Sequence, residues 1–359
     1  MGARPVRVRV ALLLAAPVVI VTIVAIGAQQ GSASRNSTLT AVPGIKVGHH
    51  TLTERPTGCT VVLAEAGVTA GVDVRGSAPA TRETDLLNPV NLVQVAHAVV
   101  LSGGSAFGLD SASGVMKYLE EKKIGFEFGR SHVPIVPAAA IFDLPVGNGL
   151  IRPGADCGYQ AARAASSGPV VEGSVGAGAG ATIGKTGGMD RGMKGGIGSA
   201  SITLPNGLIV AAIVVVNAAG DVIDPATGQV VAGVRAEGGR SLADARKMLR
   251  AGGAGARGAG QNTTLGVVAT NARLTKTEAT RVSQMAHDGF ARALAPAHTP
   301  VDGDAIFTLA TGERAGSGDA GQDLGQIGGL AAEVIADAIV RAARQATGVP
   351  GFPAVRDLR

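Results

Sequence analysis

The sequence contains no tryptophan, two tyrosines and seven phenylalanines among 359 residues. Its core must therefore be assembled from Val, Ile, Leu and Ala, with close backbone approach wherever glycine replaces a side chain. Only two cysteines occur, Cys59 and Cys157, and they match no metal-binding spacing. They read as two buried free thiols, with a disulfide open to an exported chain. Charged residues make up 16% of the chain and hydrophobic ones 46%, a globular composition and not a disordered one. No basic stripe with interleaved aromatics exists, which argues against a nucleic-acid partner. The six histidines are scattered without an H-E-x-x-H pattern, so they read as surface or structural residues and no metal or other cofactor is expected. The absence of a G-x-S-x-G elbow leaves a serine hydrolase of the α/β-hydrolase type unsupported.

Glycine is abundant, 54 residues, about twice the usual ~7%, yet it follows no triplet and so does not spell collagen. The formal net charge is +5, and Arg4, Arg7, Arg9 and Arg35 all lie in the N-terminal segment. There, three arginines precede 19 uncharged residues, Val10 to Ala28, and a polar stretch follows. This is the layout of a signal peptide, and the apolar run is also long enough to span a bilayer as an uncleaved anchor. Both readings stay open. With its basic end in the cytoplasm, either one places the remaining chain outside it, tethered to the membrane or released. Residues 1–41 are thus expected to be a leader or anchor plus polar linker, and 42–359 one folded domain.

Within that domain, Thr60–Ala64 and Ala70–Val74 read as short strands joined at a turn at Gly67. Asn88-Pro89 has the form of a helix start, with Leu92, Val95, Val99 and Val100 at helical spacing. A second helix is expected from Ser105 to Lys122. Ala200–Leu204 and Leu208–Val216 form a hairpin around Pro205-Asn206-Gly207, and the wholly apolar run Val210–Val216 marks a strand buried on both faces. Ser241 to Arg250 reads as a short helix with Ser241 and Asp244 as its capping box, and Thr275 with Glu278 caps another. Ala305–Leu309 is a strand and Leu330–Ala343 an amphipathic helix. Runs of strands with helices outside them imply layered α/β packing.

Two phosphate-loop lookalikes fail. Ala179–Thr186 ends in Gly184-Lys185-Thr186 but has alanine where the first glycine belongs. Gly253–Gly258 spells G-x-G-x-x-G after a helix, where the dinucleotide fold needs a strand. More informative is Asn262-Thr263-Thr264. It follows the Gly/Ala-rich run Ala251–Gly260 and opens an apolar strand, so a pliant segment delivers a hydroxyl to a fixed position. That suits a chain cut before Thr263, whose new N-terminal threonine would use its own α-amine as base. The amine of model peptides titrates near ~7.7–8.0, which leaves a useful neutral fraction at physiological pH.

Six blocks carry a family resemblance: Gly44-Ile45-Lys46-Val47-Gly48-His49, Leu101–Leu109, Lys194–Ser201, Val216-Asn217-Ala218, Asn262-Thr263-Thr264 and Asp302–Phe307. Together they resemble the DmpA-type family of self-processing aminopeptidases (L-aminopeptidase/D-esterases), whose relatives include β-peptidyl aminopeptidases and nylon-oligomer hydrolases. The threonine after asparagine is similar to the nylon-hydrolase branch. The resemblance implies a four-layer αββα sandwich of N-terminal-nucleophile-like type. It also implies a precursor that cuts itself into 42–262 and 263–359, and a homo-oligomer, a tetramer of such αβ units. Substrates would be short peptides or other small amides.

By that resemblance Thr263 is the nucleophile and Asn217 an oxyanion donor. Asp304 holds the ammonium or hydroxyl of Thr263, with Asp302 beside it, and either Lys185 or Lys194 serves the site. Asp302 and Asp304 alternate along an extended segment, so both can face one side and raise each other's pKa. Several relatives carry tyrosine before the aspartate of the loop Ile141-Phe142-Asp143-Leu144. Here Phe142 supplies only an apolar wall for substrate. Two rival readings remain, an acyltransferase of the ornithine acetyltransferase type and a catalytically silent, membrane-tethered scaffold.

Overall fold

The computed structural model describes residues 1–2, 36–239, 241–252, 262–316 and 320–358. The apolar N-terminal segment, the Gly/Ala run and its G-x-G-x-x-G lie outside these, apart from Ala251 and Gly252. Among the described residues no helix is long and apolar enough to cross a membrane. The chain divides into two units, Met1–Arg35 and Asn36–Arg359, and every element below belongs to the second. Its boundary falls before residue 42: Thr38, Leu39 and Thr40 are buried, and Leu39 N–H donates to Ser199 Oγ.

The strands are β1 Lys46–Thr51, β2 Gly58–Val74, β3 Thr81–Arg82, β4 Val95–Ser102, β5 Phe126–Phe128, β6 Ser131–Val133, β7 Ala138–Ala140 and β8 Thr182–Ile183. They continue as β9 Met193–Lys194, β10 Gly196–Thr203, β11 Ile209–Asn217, β12 Asp221–Ile223, β13 Val230–Ala232, β14 Thr263–Ala272, β15 Leu294–Ala295 and β16 Ala305–Arg314. The helices are α1 Ser111–Glu121, α2 Ala155–Arg163, α3 Ala245–Arg250, α4 Lys276–Ala293 and α5 Ala320–Gln345. Nine strands form one sheet in the order β10-β11-β14-β16-β2-β4-β7-β3, with β1 also paired to β2.

Alternation along these strands builds the layers. Val210, Ala212, Val214 and Val216 of β11 join Val282, Phe290, Ile335 and Ile339 of α4 and α5 in one core. Their neighbours Ala211, Ile213 and Val215 face the other way, into a core shared with Val62 of β2, Val99 and Leu101 of β4 and Ala139 of β7. Val61, Leu63, Ala98 and Val100 then turn outward to Val115, Leu119 and Ala161 of α1 and α2. The expected four layers are present, helix, strand, strand, helix. The two β layers are halves of a single sheet, continuous where β16 pairs with β2.

Several local expectations are corrected. The Asn88-Pro89 helix is absent: Leu92 is exposed, and Val95–Ser102 is a strand between β2 and β7, buried from Ala96 onward. A short apolar run buried on both faces fits helical and extended spacing alike, and its β-branched content suits the strand. The two strands about Gly67 are one strand, β2. Gly67 takes φ +75° at an irregularity in its pairing with β4, and β16 pairs the strand beyond it, from Thr69 to Val74. The helix expected from Ser241 begins only at Ala245, with Asp244 itself as cap. The Thr275/Glu278 capping box of α4 is present.

Cys59 and Cys157 form a disulfide between β2 and α2, across a separation of 98 residues, not two free thiols. A single-sequence reading had no means of placing β2 against α2. Replacing both cysteines by serine is expected to lower stability by roughly 2–4 kcal/mol, read as a lower midpoint in thermal unfolding of the intact domain.

Candidate active site

The central strand β14 is buried along its whole length and pairs antiparallel with β11 and parallel with β16. Its register sets Thr263 directly opposite Asn217, while the preceding Asn262 bridges Asp302 at the entrance to β16. Three segments far apart in sequence thus converge on one strand end, with Asn217, Asn262, Thr263, Asp302 and Asp304 all buried.

The Thr263 hydroxyl lies 2.5 Å from the carbonyl oxygen of Asn262. That oxygen also accepts the backbone N–H of Gly303 at 2.9 Å. Position 303 has no room for a side chain: a Cβ there would sit 2.6 Å from Ala78 O and 2.8 Å from Thr263 Oγ. Glycine is what lets the 302–304 backbone close against the hydroxyl. The Gly303 donor is a functional candidate that side-chain reasoning missed. Its only sequence signal is the glycine between the two aspartates.

Asn217 is saturated on its oxygen, which accepts Thr182 N–H at 2.9 Å and Lys185 Nζ at 3.1 Å. Its amide nitrogen donates to Phe142 O at 3.1 Å. An amide nitrogen carries two hydrogens, so one is left for another acceptor. Phe142 therefore meets the site first through its carbonyl, with its side chain half-buried.

The two lysines separate. Lys185 Nζ donates to Asn217 O at 3.0 Å as well as to its side chain. Burial pushes its pKa down to about 7, opposed by the charges of Asp302 and Asp143. Lys194 Nζ is spent on three backbone carbonyls, Gly178, Ala181 and Gly195 at 2.8–3.0 Å. Burial lowers its pKa to about 7 too, opposed by Asp143. Lys185 sits at the site and Lys194 clamps the glycine-rich turn behind it. Asp143, which the sequence reading left without a role, is itself buried and held by Arg55 Nη2 at 2.8 Å, Thr57 Oγ at 2.6 Å and Gly104 N–H at 2.8 Å.

The acid pair is divided as well. Asp302 Oδ2 accepts both the N–H and the hydroxyl of Thr299, at 2.7 and 2.6 Å, while its buried Oδ1 has no hydrogen-bond partner among the described residues. Burial first, and then the charge of Asp304, push its carboxyl above the usual range. Asp304 Oδ1 accepts the N–H of Thr264 at 2.7 Å, one residue past Thr263. Its Oδ2 accepts from His298, both from the ring Nδ1 at 2.8 Å and from the backbone N–H at 3.2 Å. Asp304 thus grips the strand behind the hydroxyl and does not bond the hydroxyl itself. The histidines do include one at the site. The signal for His298 was its place six residues before Asp304, in a turn bounded by Pro296 and Pro300.

Lys185 and Lys194 are harder to protonate in the folded chain than in the unfolded one, where lysine titrates near ~10.4. The unfolded state binds more protons between the two values, so stability rises with pH from about 7 upward through that window. Replacement should distinguish the two residues. Lys194→Met strands three buried carbonyls and is expected to cost about 3 kcal/mol in denaturant unfolding, with modest change in turnover per folded molecule. Lys185→Met is expected to lower turnover on a reporter amide by about a hundredfold.

Comparison with known proteins agrees with this architecture. The model of peptidase family S58 matches residues 37–356. An uncharacterized aminopeptidase of Mycobacterium bovis is 42% identical over 349 residues, covering 90% of this chain and 98% of the relative. A 6-aminohexanoate-oligomer endohydrolase of Kocuria sp. is 30% identical over 312 residues, covering 84% of each. Among solved structures, the L-aminopeptidase D-Ala-esterase/amidase of Ochrobactrum anthropi shares the fold with a TM-score of 0.65 at 17% identity, over 89% of this chain and 90% of that one. That protein is described as a variant of the Ntn-hydrolase fold. A β-aminopeptidase of Burkholderia sp. gives a TM-score of 0.62 at 24% identity, covering 87% of both chains. With a family match that spans nearly the whole folded body, the chain belongs to peptidase family S58 and is an amide-bond hydrolase of that family.

Proposed function

We propose that the protein is a self-processing aminopeptidase or amidase in which Thr263 cuts its own chain and then serves as the N-terminal nucleophile. The observation that carries this reading is the carbonyl oxygen of Asn262, which accepts both the Thr263 hydroxyl and the Gly303 N–H. In maturation Thr263 Oγ adds to that carbonyl carbon. Its proton passes to a base, a role suited to Lys185, whose pKa burial lowers to about 7, and the negative charge gathers on the oxygen facing Gly303 N–H. The C–N bond then breaks, the nitrogen takes up a proton, and Asn262 is left as an ester on Oγ. Water hydrolyses that ester, releasing the Asn262 carboxylate and the hydroxyl of Thr263, whose α-amine the C–N cleavage has already freed.

The same hydroxyl, now beside its own amine, attacks substrate amides, and the free N–H of Asn217 is placed for the second oxyanion. The relatives suggest the substrate class. One is named an aminopeptidase and another a 6-aminohexanoate-oligomer endohydrolase, so short, linear, peptide-like amides are the fitting substrates. Phe142, with no hydroxyl, contributes apolar surface near Asn217.

Export of the domain is part of this proposal. The arginine-headed apolar run supports it, and the Cys59–Cys157 disulfide supports it independently, since such bonds persist in oxidising compartments. In fractionated cells the protein is expected with the membrane or outside the cytoplasm. Recovery of the full-length chain in the soluble cytoplasm would refute this part.

Purified protein is expected to contain a fragment whose N-terminal sequencing begins Thr-Thr-Leu-Gly, from Thr263 onward. Thr263→Ala should stay one chain and be inactive. An intact wild-type chain with full amide-hydrolysing activity would sink the proposal, and preferential acyl transfer to an amine in place of water would redirect it to acyltransferase chemistry.

A further inference from the structure

His298 is bound to the acid pair in a way that ordinary surface histidines are not. Its ring Nδ1 and its backbone N–H both point at one oxygen, Oδ2 of Asp304. To make both bonds the residue adopts φ +52°, in the left-handed region that few non-glycine residues enter. Such conformations persist where surrounding contacts over-determine them, and they concentrate at functional sites. The ring is packed as well, stacked on Phe290 with centroids 5.7 Å apart and edge-on to His287 at 4.8 Å.

The donor pattern assigns the ring's proton. A carboxylate only accepts, so the nitrogen facing Asp304 must carry hydrogen. His287 beside it donates Nε2–H to the carbonyl of Asp73. Burial, reinforced by the neighbouring His298, pushes its pKa to about 4, against the pull of the Asp73 carbonyl. His287 is therefore a neutral wall, and His298 is the group that meets the carboxylate.

Asp304 is buried with one oxygen on Thr264 N–H. Without the ring donor, Oδ2 would keep only the longer bond from the His298 backbone N–H, at 3.2 Å, and a buried carboxylate so weakly held would rotate away from the strand. That rotation releases Thr264 and, through the shared peptide, the hydroxyl of Thr263. We propose that His298 is a positioning residue of this site: by anchoring Asp304 it fixes the strand end that presents Thr263 to the carbonyl it attacks. This rests on the proposed nucleophile role of Thr263.

The test uses the full chain and follows self-cleavage by denaturing electrophoresis, turnover per processed molecule, and thermal midpoint. His298→Asn keeps an N–H near the place of Nδ1 and tolerates positive φ, whereas His298→Leu has similar bulk and no donor. The leucine variant is expected to slow both reactions at least about tenfold and the asparagine variant to stay within about threefold of wild type. In an Asp304→Asn background, His298→Leu should add less than about a twofold effect, because it acts through that carboxylate.

Wild-type rates for the leucine variant, an asparagine variant as slow as leucine, or effects that multiply in the double variant would each overturn the proposal. Nitrogen-15 spectra of histidine-labelled Thr263→Ala precursor give a check that does not depend on the leucine variant folding. His298 is expected with hydrogen on Nδ1, and hydrogen on Nε2 alone would overturn the proposal. Cleavage persisting in Thr263→Ala would instead refute the nucleophile itself. A blocked Thr263→Ala with an unaffected leucine variant would refute only the role of His298.

Discussion

The pairing of β14 between β11 and β16 is the constraint on which the rest of the site depends. One neighbour runs antiparallel and brings Asn217 to the first residue of β14. The other runs parallel and brings the segment 302–304 to the same end. Because the register of a buried strand is held by every side chain along it, the residues gathered at the strand's end are aligned by the core as a whole.

Burial is the second theme. The strand end is buried, so charged groups there either find partners or shift in pKa, while Asn262 Oδ1 and Thr264 Oγ have no partner among the described residues. Lys194, Asp143 and Arg55 find partners and become scaffold. Lys185 is held near neutrality by the cost of burying its charge. Asp302 is pushed the other way, with one oxygen left unpaired. Burial thus moves the lysine and the carboxylate in opposite directions while each still feels the other's charge. The four-layer build makes this possible, since helices cover both outer faces and leave the middle of the molecule shielded from water.

Much of this was legible in the residues. The apolar run of β11, the capping box of α4, the threonine that opens β14 and the Asp-Gly-Asp segment each have a local chemical signature, and six blocks in order tie them to a family and a fold. What local signatures could not resolve were questions of partner. Val95–Ser102 fits a helix until β2 and β7 claim both of its edges. Gly67 reads as a turn until β16 takes up the strand beyond it. The cysteines are two free thiols until α2 is laid against β2.

The same division holds at the site. Residue type and position nominated Thr263, and the family resemblance added Asn217, Asp302 and Asp304. Only the folded chain could separate Lys185 from Lys194, since both sit in glycine-rich segments and differ in which carbonyls surround them. Only the folded chain could place Gly303 N–H and His298, because a backbone donor has no side-chain letter and a histidine's role is set by what its ring faces. Identity is written along the chain, whereas distance, burial and charge arise when β11, β14 and β16 are brought side by side.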